Sequence, residues 1–345
     1  MVWVHRIAVV LGFLALLLGA GFAWLVTAKP WIPKLEMVDP SPAGRRVADA
    51  GFVANFYPAV GAGARPAVLV LGGSEGGLGS EMTAYAKALQ AEGYSALHVG
   101  YHRGPGMSPT LENVPLELFE GAIAWLKAQP GVDPTRLAVV GWSRGSEAAQ
   151  LLAATHPEMR AVILGMPSNV VWAGFDWEKL FFSDMRSPAW TRGGAPVPYV
   201  AVSDIGRSMN VYAPDWQAKF RAMTIKRPEI VIPVEAIGGR VLYVCGEQDR
   251  LWPSCPMARL GAERAAKAGK TDVEVLAFKD AGHFGFGVPL AADDPRRARL
   301  SALGGTPAGN EAALAEGLEK AKALLAAAFT QAPTPDREAA PTPPG

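Results

Sequence analysis

Short apolar runs alternate with helix-like stretches along most of the chain, and this alternation limits the folds that the sequence can adopt. The runs are PAVLVL (66–71), YSALHV (94–99), RLAVVG (136–141), AVILGM (161–166), RVLYVCG (240–246) and VEVLAF (273–278). Helical patterns fall between or after them, at 81–92, 116–128, 144–155 and 310–329. Strands that are apolar throughout and separated by helices form a mostly parallel sheet covered on both faces. The sequence therefore predicts an α/β fold.

The composition restricts the class of protein and of ligand. The 345 residues are 50% hydrophobic and carry 33 basic against 32 acidic side chains, for a net charge of +1. This suits one large domain with a sizeable core, and it provides no electrostatic footprint for a nucleic acid. The five histidines lack the spacing of a helical metal site, and two cysteines are too few for a zinc cluster. We expect no metal and no cofactor.

The two cysteines are Cys245 and Cys255. They could form a disulfide if the domain is exported to an oxidising compartment. Because Cys245 closes an apolar strand-like run, we instead expect two free thiols.

The N-terminal stretch differs from the rest of the chain. Residues 7–26, IAVVLGFLALLLGAGFAWLV, contain no charge and are long enough to cross a bilayer as one helix. Trp3 and Trp24 near its ends suit membrane interfaces, so we expect an uncleaved single-pass anchor. Small residues near Ala28 leave open a cleaved signal peptide and a secreted protein. Basic residues on both sides leave the orientation unresolved.

Composition changes suggest the domain boundaries. An anchor or signal segment (1–28) precedes a proline-containing linker (29–50), a folded domain (51–329) and a proline-rich disordered tail (330–345). Residues 167–239 are rich in Trp, Phe, Pro and Gly and are too long for a simple crossover. We interpret them as an insertion over the carboxyl ends of the strands, where open α/β sheets bind ligands. The insertion is either a lid over the ligand site or a solvent-exposed loop with a stabilising helix.

The stretch VVGWSRGSE (139–147) places Ser143 between Gly141 and Gly145. An apolar run precedes this motif and a strong helix former follows it. Strand, tight turn and helix are the parts of a nucleophile elbow, whose strained turn exposes the serine hydroxyl. The helix N-terminus beside it favours an anionic intermediate. The motif therefore predicts Ser143 as a nucleophile.

A nucleophilic serine needs a base and an acid, which in such folds follow it in the order Ser, acid, His. Asp249 comes directly after RVLYVCG, and His283 lies in a glycine-bordered loop after VEVLAF. Both positions belong to the carboxyl edge of the predicted sheet. Asp280 and Glu247 are rival acids, but Asp280 is too near His283 in sequence to reach its far nitrogen easily.

The loop LGGSEGGLG (71–79) follows an early strand, which is the position of an oxyanion hole. The predicted donors are the backbone amides of Ser74, or alternatively Glu75, and of Arg144. The loop has neither the Lys-Ser/Thr end of a phosphate-binding loop nor the spacing of a dinucleotide fingerprint. The Arg144 side chain is a candidate for recognition of substrate charge.

Aromatic residues near the motif and in the insertion are candidates for an acyl pocket. They either line such a pocket or pack the long loop itself. The candidates are Trp142, Trp172, Phe181 and Trp190, together with Glu75.

Seven blocks in order resemble the dienelactone-hydrolase-like C-terminal domain shared by acyl-CoA thioesterases and bile acid-CoA:amino acid N-acyltransferases. The blocks are SPTLENVPLELFEGAIAWL, VGWSRGSEAAQLL, PSNVVWAG, PAWTRGGAPVPYV, IPVEAIGGRVLYVCGEQDRLWPS, AGHFGFG and GGTPAGNEAALAEGLEKAKALL. The resemblance covers roughly residues 65–329. It implies an α/β-hydrolase fold, with Ser143 as nucleophile, Asp249 as acid and His283 as base, acting on acyl-CoA.

Two departures from that family bear on function. Its members usually carry a β-sandwich ahead of the hydrolase domain, and the stretch before residue 65 is too short for one. The family's acyltransferases use a cysteine nucleophile, so Ser143 favours water as the acyl acceptor. We therefore expect hydrolysis of acyl thioesters or carboxylic esters. The alternatives are an acyltransferase and a non-catalytic, membrane-tethered binding module.

Overall fold

The computed structural model describes residues 2–179, 185–201 and 214–330, which include eleven strands and seven α-helices. The strands are β1 (Arg45–Val47), β2 (Val53–Tyr57), β3 (Arg65–Leu71), β4 (Ser95–Gly100), β5 (Val114–Pro115), β6 (Val132–Trp142), β7 (Met159–Gly165), β8 (Trp190–Arg192), β9 (Ala195–Pro196), β10 (Arg240–Gly246) and β11 (Val273–Phe278). The helices are α1 (Val2–Ala28), α2 (Ser80–Ala91), α3 (Glu117–Lys127), α4 (Arg144–Ala153), α5 (Pro214–Lys226), α6 (Ser254–Lys267) and α7 (Pro307–Thr330).

The central sheet has eight strands in the order β1-β2-β4-β3-β6-β7-β10-β11. Strand β2 is antiparallel to both of its neighbours, and all pairs from β4 to β11 are parallel. These six parallel strands are the six apolar runs, so the predicted parallel sheet is confirmed. Their carboxyl ends meet along one edge, where the loops after β3, β6, β10 and β11 come together.

Helices cover both faces of this sheet, as predicted. On one face, α3, α4 and α6 contribute buried side chains to a core with alternate residues of the strands. On the other face, α2 and α7 do the same. The small sheet of β5, β8 and β9 lies outside this arrangement and includes part of the predicted insertion.

Strands β1 and β2 were not among the predicted strands. Strand β1 falls inside the predicted linker, 29–50, because residues 45–47 pair with β2. Asn55 interrupts the apolar pattern of β2, yet it is fully buried. Its side chain accepts a hydrogen bond from Arg46 Nε (2.7 Å) and donates one to the Val38 carbonyl (2.9 Å). A satisfied polar residue therefore concealed a buried strand.

Helix α1 lies outside the core. It is long and apolar enough to cross a membrane, and its membrane-length part, Val9–Ala28, is not buried by the rest of the chain. The predicted tail lies outside the described residues from 331 onward, as do two parts of the predicted insertion, 180–184 and 202–213.

The prediction of two free thiols is wrong. Cys245, near the end of β10, forms a disulfide with Cys255 in the first turn of α6. The loop between them turns back and brings the two Cα atoms to 5.0 Å, and both side chains are fully buried. Cys245 does lie in a buried apolar strand, as predicted, but a buried cysteine can belong to a disulfide as well as carry a free thiol. The loop that it closes carries Asp249.

We expect this disulfide to stabilise the domain by restricting the unfolded chain, by about 2–4 kcal/mol. Thermal unfolding followed by circular dichroism should therefore begin at a lower temperature in reductant, with a Tm about 5–10 °C lower. In a Cys255→Ala variant, reductant should not change the Tm. An equal effect of reductant on both proteins would contradict the pairing.

Candidate active site

Ser143 is the single residue between the end of β6 and the start of α4. Its φ of 54° and ψ of −121° lie in a region that non-glycine residues rarely adopt. A Cβ on Gly141 would lie 2.3 Å from the Gly145 carbonyl oxygen, and one on Gly145 would lie 2.2 Å from that of Gly72. The flanking glycines are thus required by close backbone approach, as the elbow motif predicts.

The structure brings Ser143, His283 and Asp249 into one hydrogen-bonded chain. The Ser143 Oγ lies 2.9 Å from His283 Nε2, and His283 Nδ1 lies 2.9 Å from Asp249 Oδ2. Because a carboxylate only accepts, Nδ1 carries the hydrogen and Nε2 is left to accept the hydroxyl proton. All three side chains are buried, with Ser143 3% exposed.

The carboxylate of Asp249 is held by its own loop. Its Oδ1 accepts hydrogen bonds from the backbone amides of Leu251 (3.0 Å) and Trp252 (3.3 Å). The rival acids point elsewhere, because Asp280 is exposed and accepts from Gln248, and Glu247 pairs with Arg259.

The histidine loop is fixed by contacts that the motifs did not indicate. Asn310, on α7, accepts from the Gly282 amide at 2.8 Å. The same side chain donates to three carbonyls of residues 300–306. Trp142 Nε1 donates to the His283 carbonyl at 3.3 Å. No local pattern marks Asn310 for this role, because the helix that carries it has other polar residues, such as Glu311 and Glu316.

The loop formed by residues 72–79, here called the oxyanion loop, packs against the serine. A Cβ on Gly73 would lie 3.2 Å from Ser143 Cβ. Tyr101 Oη donates to the carbonyls of Gly72 (2.7 Å) and Gly73 (3.0 Å). The Ser74 carbonyl accepts from Trp177 Nε1 at 2.7 Å and contacts His102 Nε2 at 3.2 Å. Side chains therefore fix the carbonyls of this loop.

Of the two amides predicted to stabilise an oxyanion, that of Arg144 follows Ser143 in the chain, and that of Ser74 follows Gly73, which packs against Ser143. Within the described residues, neither the Ser74 amide nor the Arg144 amide donates to another protein group. The Arg144 amide is free because it opens α4, where the first amides have no helical partner. His102, which supports Ser74, is neutral because burial lowers its pKa to about 4.

The Glu75 side chain lies close to the serine. Its Oε1 accepts from the Gly73 amide at 2.9 Å. Its Oε2 lies 2.8 Å from the position that a Cβ on Gly73 would take, the same point that Ser143 Cβ approaches. Burial raises the pKa of Glu75 to about 7. This carboxyl group therefore changes charge near neutrality.

The Arg144 side chain does not face a substrate, contrary to its predicted role in charge recognition. It is buried and donates to the carbonyls of Trp172 and Ala173, both at 3.0 Å. It also pairs with Glu147 at 3.1 Å. Glu147 in turn accepts from the Trp172 amide and from Trp190 Nε1, both at 3.2 Å. This buried pair fastens the insertion to the elbow helix.

The predicted pocket aromatics have different surroundings. Trp190 is fully buried in the core against Tyr101, so it does not line a pocket. Trp142 contacts the histidine loop. Trp172 stacks between Phe220 and Trp252, which are 6.1 and 6.3 Å away between ring centroids. Phe181 lies outside the described residues.

The sequence matches known proteins over this region. The family model described as BAAT / Acyl-CoA thioester hydrolase C terminal matches residues 114–289. Acyl-coenzyme A amino acid N-acyltransferase 2 of Rattus norvegicus is 24% identical over 231 residues, 67% of this chain and 51% of that protein. Acyl-coenzyme A thioesterase 5 of Mus musculus is 24% identical over 239 residues, with the same two coverages. The chain spans about half the length of these relatives.

Solved structures share the fold. A dienelactone hydrolase-like promiscuous phosphotriesterase from metagenomic libraries has a TM-score of 0.50 and 18% identity, over 83% of this chain and 98% of that one. A puromycin-hydrolyzing peptidase of Mycobacterium tuberculosis has a TM-score of 0.52 and 15% identity, over 86% and 41%. At these identities the likeness concerns the fold, which is that of an α/β-hydrolase.

The charge on Glu75 should affect activity near neutral pH. As pH rises through about 7, Glu75 loses its proton and places a negative charge near Ser143, where it would repel a developing oxyanion. The repulsion is about 1 kcal/mol, or roughly fivefold in kcat/KM. The ratio of kcat/KM for Glu75→Gln over wild type should therefore rise with pH across neutrality. A surface control, Glu316→Gln, should give a flat ratio, and a flat ratio for Glu75→Gln would refute this effect.

The Arg144–Glu147 pair should matter strongly for stability. Arg144→Met leaves an uncompensated buried carboxylate, so unfolding in urea should show a loss of about 3–5 kcal/mol. Adding Glu147→Gln removes that charge but keeps an acceptor for Trp172 and Trp190, so the double variant should be more stable than the single one. The exposed Arg299→Met should change stability by about 0.5 kcal/mol or less. Equal losses for the two arginine variants would disprove the role of the pair.

Proposed function

The chain belongs to the BAAT / acyl-CoA thioester hydrolase C-terminal family, as its sequence blocks indicated, and on that premise we propose that it is a serine hydrolase of acyl esters or thioesters. Relatives in this family are named as acyl-CoA thioesterases and N-acyltransferases. The observation that carries the proposal is the hydrogen-bonded chain from Ser143 through His283 to Asp249, at a strained turn between strand and helix.

In the proposed reaction, Ser143 Oγ attacks the acyl carbonyl while His283 Nε2 takes its proton. His283 then gives this proton to the leaving oxygen or sulfur, which departs as an alcohol or thiol. Water next attacks the acyl-enzyme and passes a proton to His283. His283 returns the proton to Ser143 as the carboxylic acid leaves, so the enzyme is regenerated.

Two further features support this reaction. Asp249 would stabilise the imidazolium that forms when His283 takes the proton, and two backbone amides hold its carboxylate in place for that role. The amides of Ser74 and Arg144 would bind the oxyanion, at the N-terminus of a helix whose dipole favours negative charge. No metal or cofactor takes part in these steps.

A serine at position 143 favours hydrolysis over transfer to an amino acid, because the resemblance associates a cysteine nucleophile with the family's acyltransferases. The non-catalytic binding module is the less supported alternative. A binding module would not need Ser143 to be held at an unfavourable φ of 54° beside an oriented histidine.

We also propose that α1 anchors the protein in a membrane and that the domain faces an oxidising compartment. The supporting observations are an uncharged apolar helix of membrane length and a buried disulfide. Structural disulfides persist outside the reducing cytosol.

Labelling by a fluorophosphonate probe tests the proposed nucleophile. The wild-type chain should be labelled and Ser143→Ala should not. His283→Ala should abolish labelling and lower kcat for a soluble ester by about 10³-fold or more. Asp249→Asn should also lower kcat by about 10³-fold or more, because the histidine tautomer is no longer fixed.

The matched control is Asp280→Asn, which should keep nearly full activity because that carboxyl group is exposed and directed to Gln248. Folded wild-type protein without Ser143-dependent labelling would favour the binding-module alternative. A larger loss for Asp280→Asn than for Asp249→Asn would overturn the choice of acid.

A further inference from the structure

The segment that follows α1 is bound to the body of the protein. Trp31 Nε1 donates to the Trp177 carbonyl at 3.1 Å, and the Pro33 carbonyl accepts from Arg103 at 2.8 Å. Lys29 pairs with Glu178 at 2.9 Å. These contacts join the predicted proline-containing linker to residues around the candidate site.

The next residues continue this attachment. Leu78 donates through its amide to the Glu36 carbonyl (2.9 Å), and the Val38 amide donates to the Leu78 carbonyl (3.0 Å). The Glu36 carboxylate also accepts from the Ser80 amide at 2.8 Å, at the start of α2. We call residues 29–38 the docked linker. Its last three residues, 36–38, pair with Leu78 of the oxyanion loop.

The docked linker contacts residues that hold the oxyanion loop. Trp177, which binds Trp31, donates to the Ser74 carbonyl at 2.7 Å. Arg103, which binds Pro33, also donates to the Glu75 carbonyl. At each of these two contacts, a single residue binds both the docked linker and the oxyanion loop.

The short length of the linker limits how far the site can lie from a membrane. Pro33 lies five residue steps after Ala28, the end of α1. An extended chain spans at most about 3.6 Å per step, so the two are at most about 18 Å apart. The interfacial layer of a bilayer is itself about 5–8 Å thick. Trp24 and Trp31, with Lys29 and Lys34, are residue types that favour this layer.

We propose that the docked linker holds the Ser143 site against the membrane surface, and that the substrate is a carboxylic ester whose acyl chain is held in the bilayer. This inference rests on the proposed hydrolase function. The reaction consumes one water and releases the fatty acid and an alcohol.

The burial of the site agrees with a substrate from the bilayer. Ser143 is 3% exposed and His283 is 2% exposed, so the reacting atoms have little contact with bulk water. A long acyl chain that enters directly from lipid avoids exposing apolar surface to water. The disulfide favours an oxidising compartment, where oxygen esters are available and CoA thioesters, which are cytoplasmic, are not.

The test lengthens the tether without altering the docked linker. A flexible Gly/Ser segment of about 20 residues is inserted between Ala28 and Lys29. The matched control carries the same segment between Gly61 and Ala62, in an exposed turn at the opposite edge of the sheet from Ser143. Both full-length chains and the wild type are reconstituted into phosphatidylcholine vesicles.

Two probes are compared in the same vesicles, 4-methylumbelliferyl oleate dispersed in the bilayer and water-soluble 4-methylumbelliferyl acetate. Lengthening the tether should lower turnover of the oleate about tenfold, because the effective concentration of the site at the surface falls. Turnover of the acetate should not change. The control insertion should alter neither rate.

Equal oleate turnover by the two insertion variants would overturn the inference, as would a parallel loss of acetate turnover in the lengthened tether. If the wild type cleaves neither ester, the hydrolase function itself fails, and this result is distinguishable because it does not depend on the linker.

Discussion

The close approach of three backbone segments around Ser143 is the constraint on which the rest of the site depends. Strand β6, the first turn of α4 and the end of β3 meet at distances that leave no room for a Cβ on Gly141 or Gly145. This packing fixes the serine in an unfavourable backbone conformation and places the oxyanion loop against it. A strain of order 1–3 kcal/mol is maintained because the ends of β3 and β6 around the serine are buried. The conformation of this turn therefore depends both on the two glycines of the motif and on the packing of β3, β6 and α4.

A buried charge pair extends this arrangement to the insertion. Arg144 and Glu147 lie one turn apart on the elbow helix, and together they bind backbone groups of Trp172 and Ala173. Desolvation makes such a pair costly unless every hydrogen-bonding group finds a partner. The insertion supplies most of those partners. Its inner segment is consequently part of the support of the nucleophile, in addition to any role in covering the site.

The elements that have a local sequence pattern could be predicted, and those that depend on distant partners could not. The six parallel strands follow from the apolar runs. The loops of Ser143, Asp249 and His283 follow from the turns directly after three of those runs. Strand β2 was missed because Asn55 breaks its pattern, and the disulfide because Cys245 reads as an ordinary core residue. The supporting roles of Asn310 and Trp177 depend on contacts across more than a hundred residues or between helices and loops, which no local pattern encodes.

The arginines near the site bear on the leaving group. CoA is polyanionic, and its recognition requires cationic groups directed toward the substrate. Arg103 and Arg144 flank the oxyanion loop and the elbow, but both direct their guanidinium groups to backbone carbonyls, of Pro33 and Glu75 in one case and of Trp172 and Ala173 in the other. Their charge is thus used to fasten the linker and the insertion. Within the described residues, neither arginine can turn to a phosphate without breaking these contacts to the linker, the oxyanion loop and the insertion.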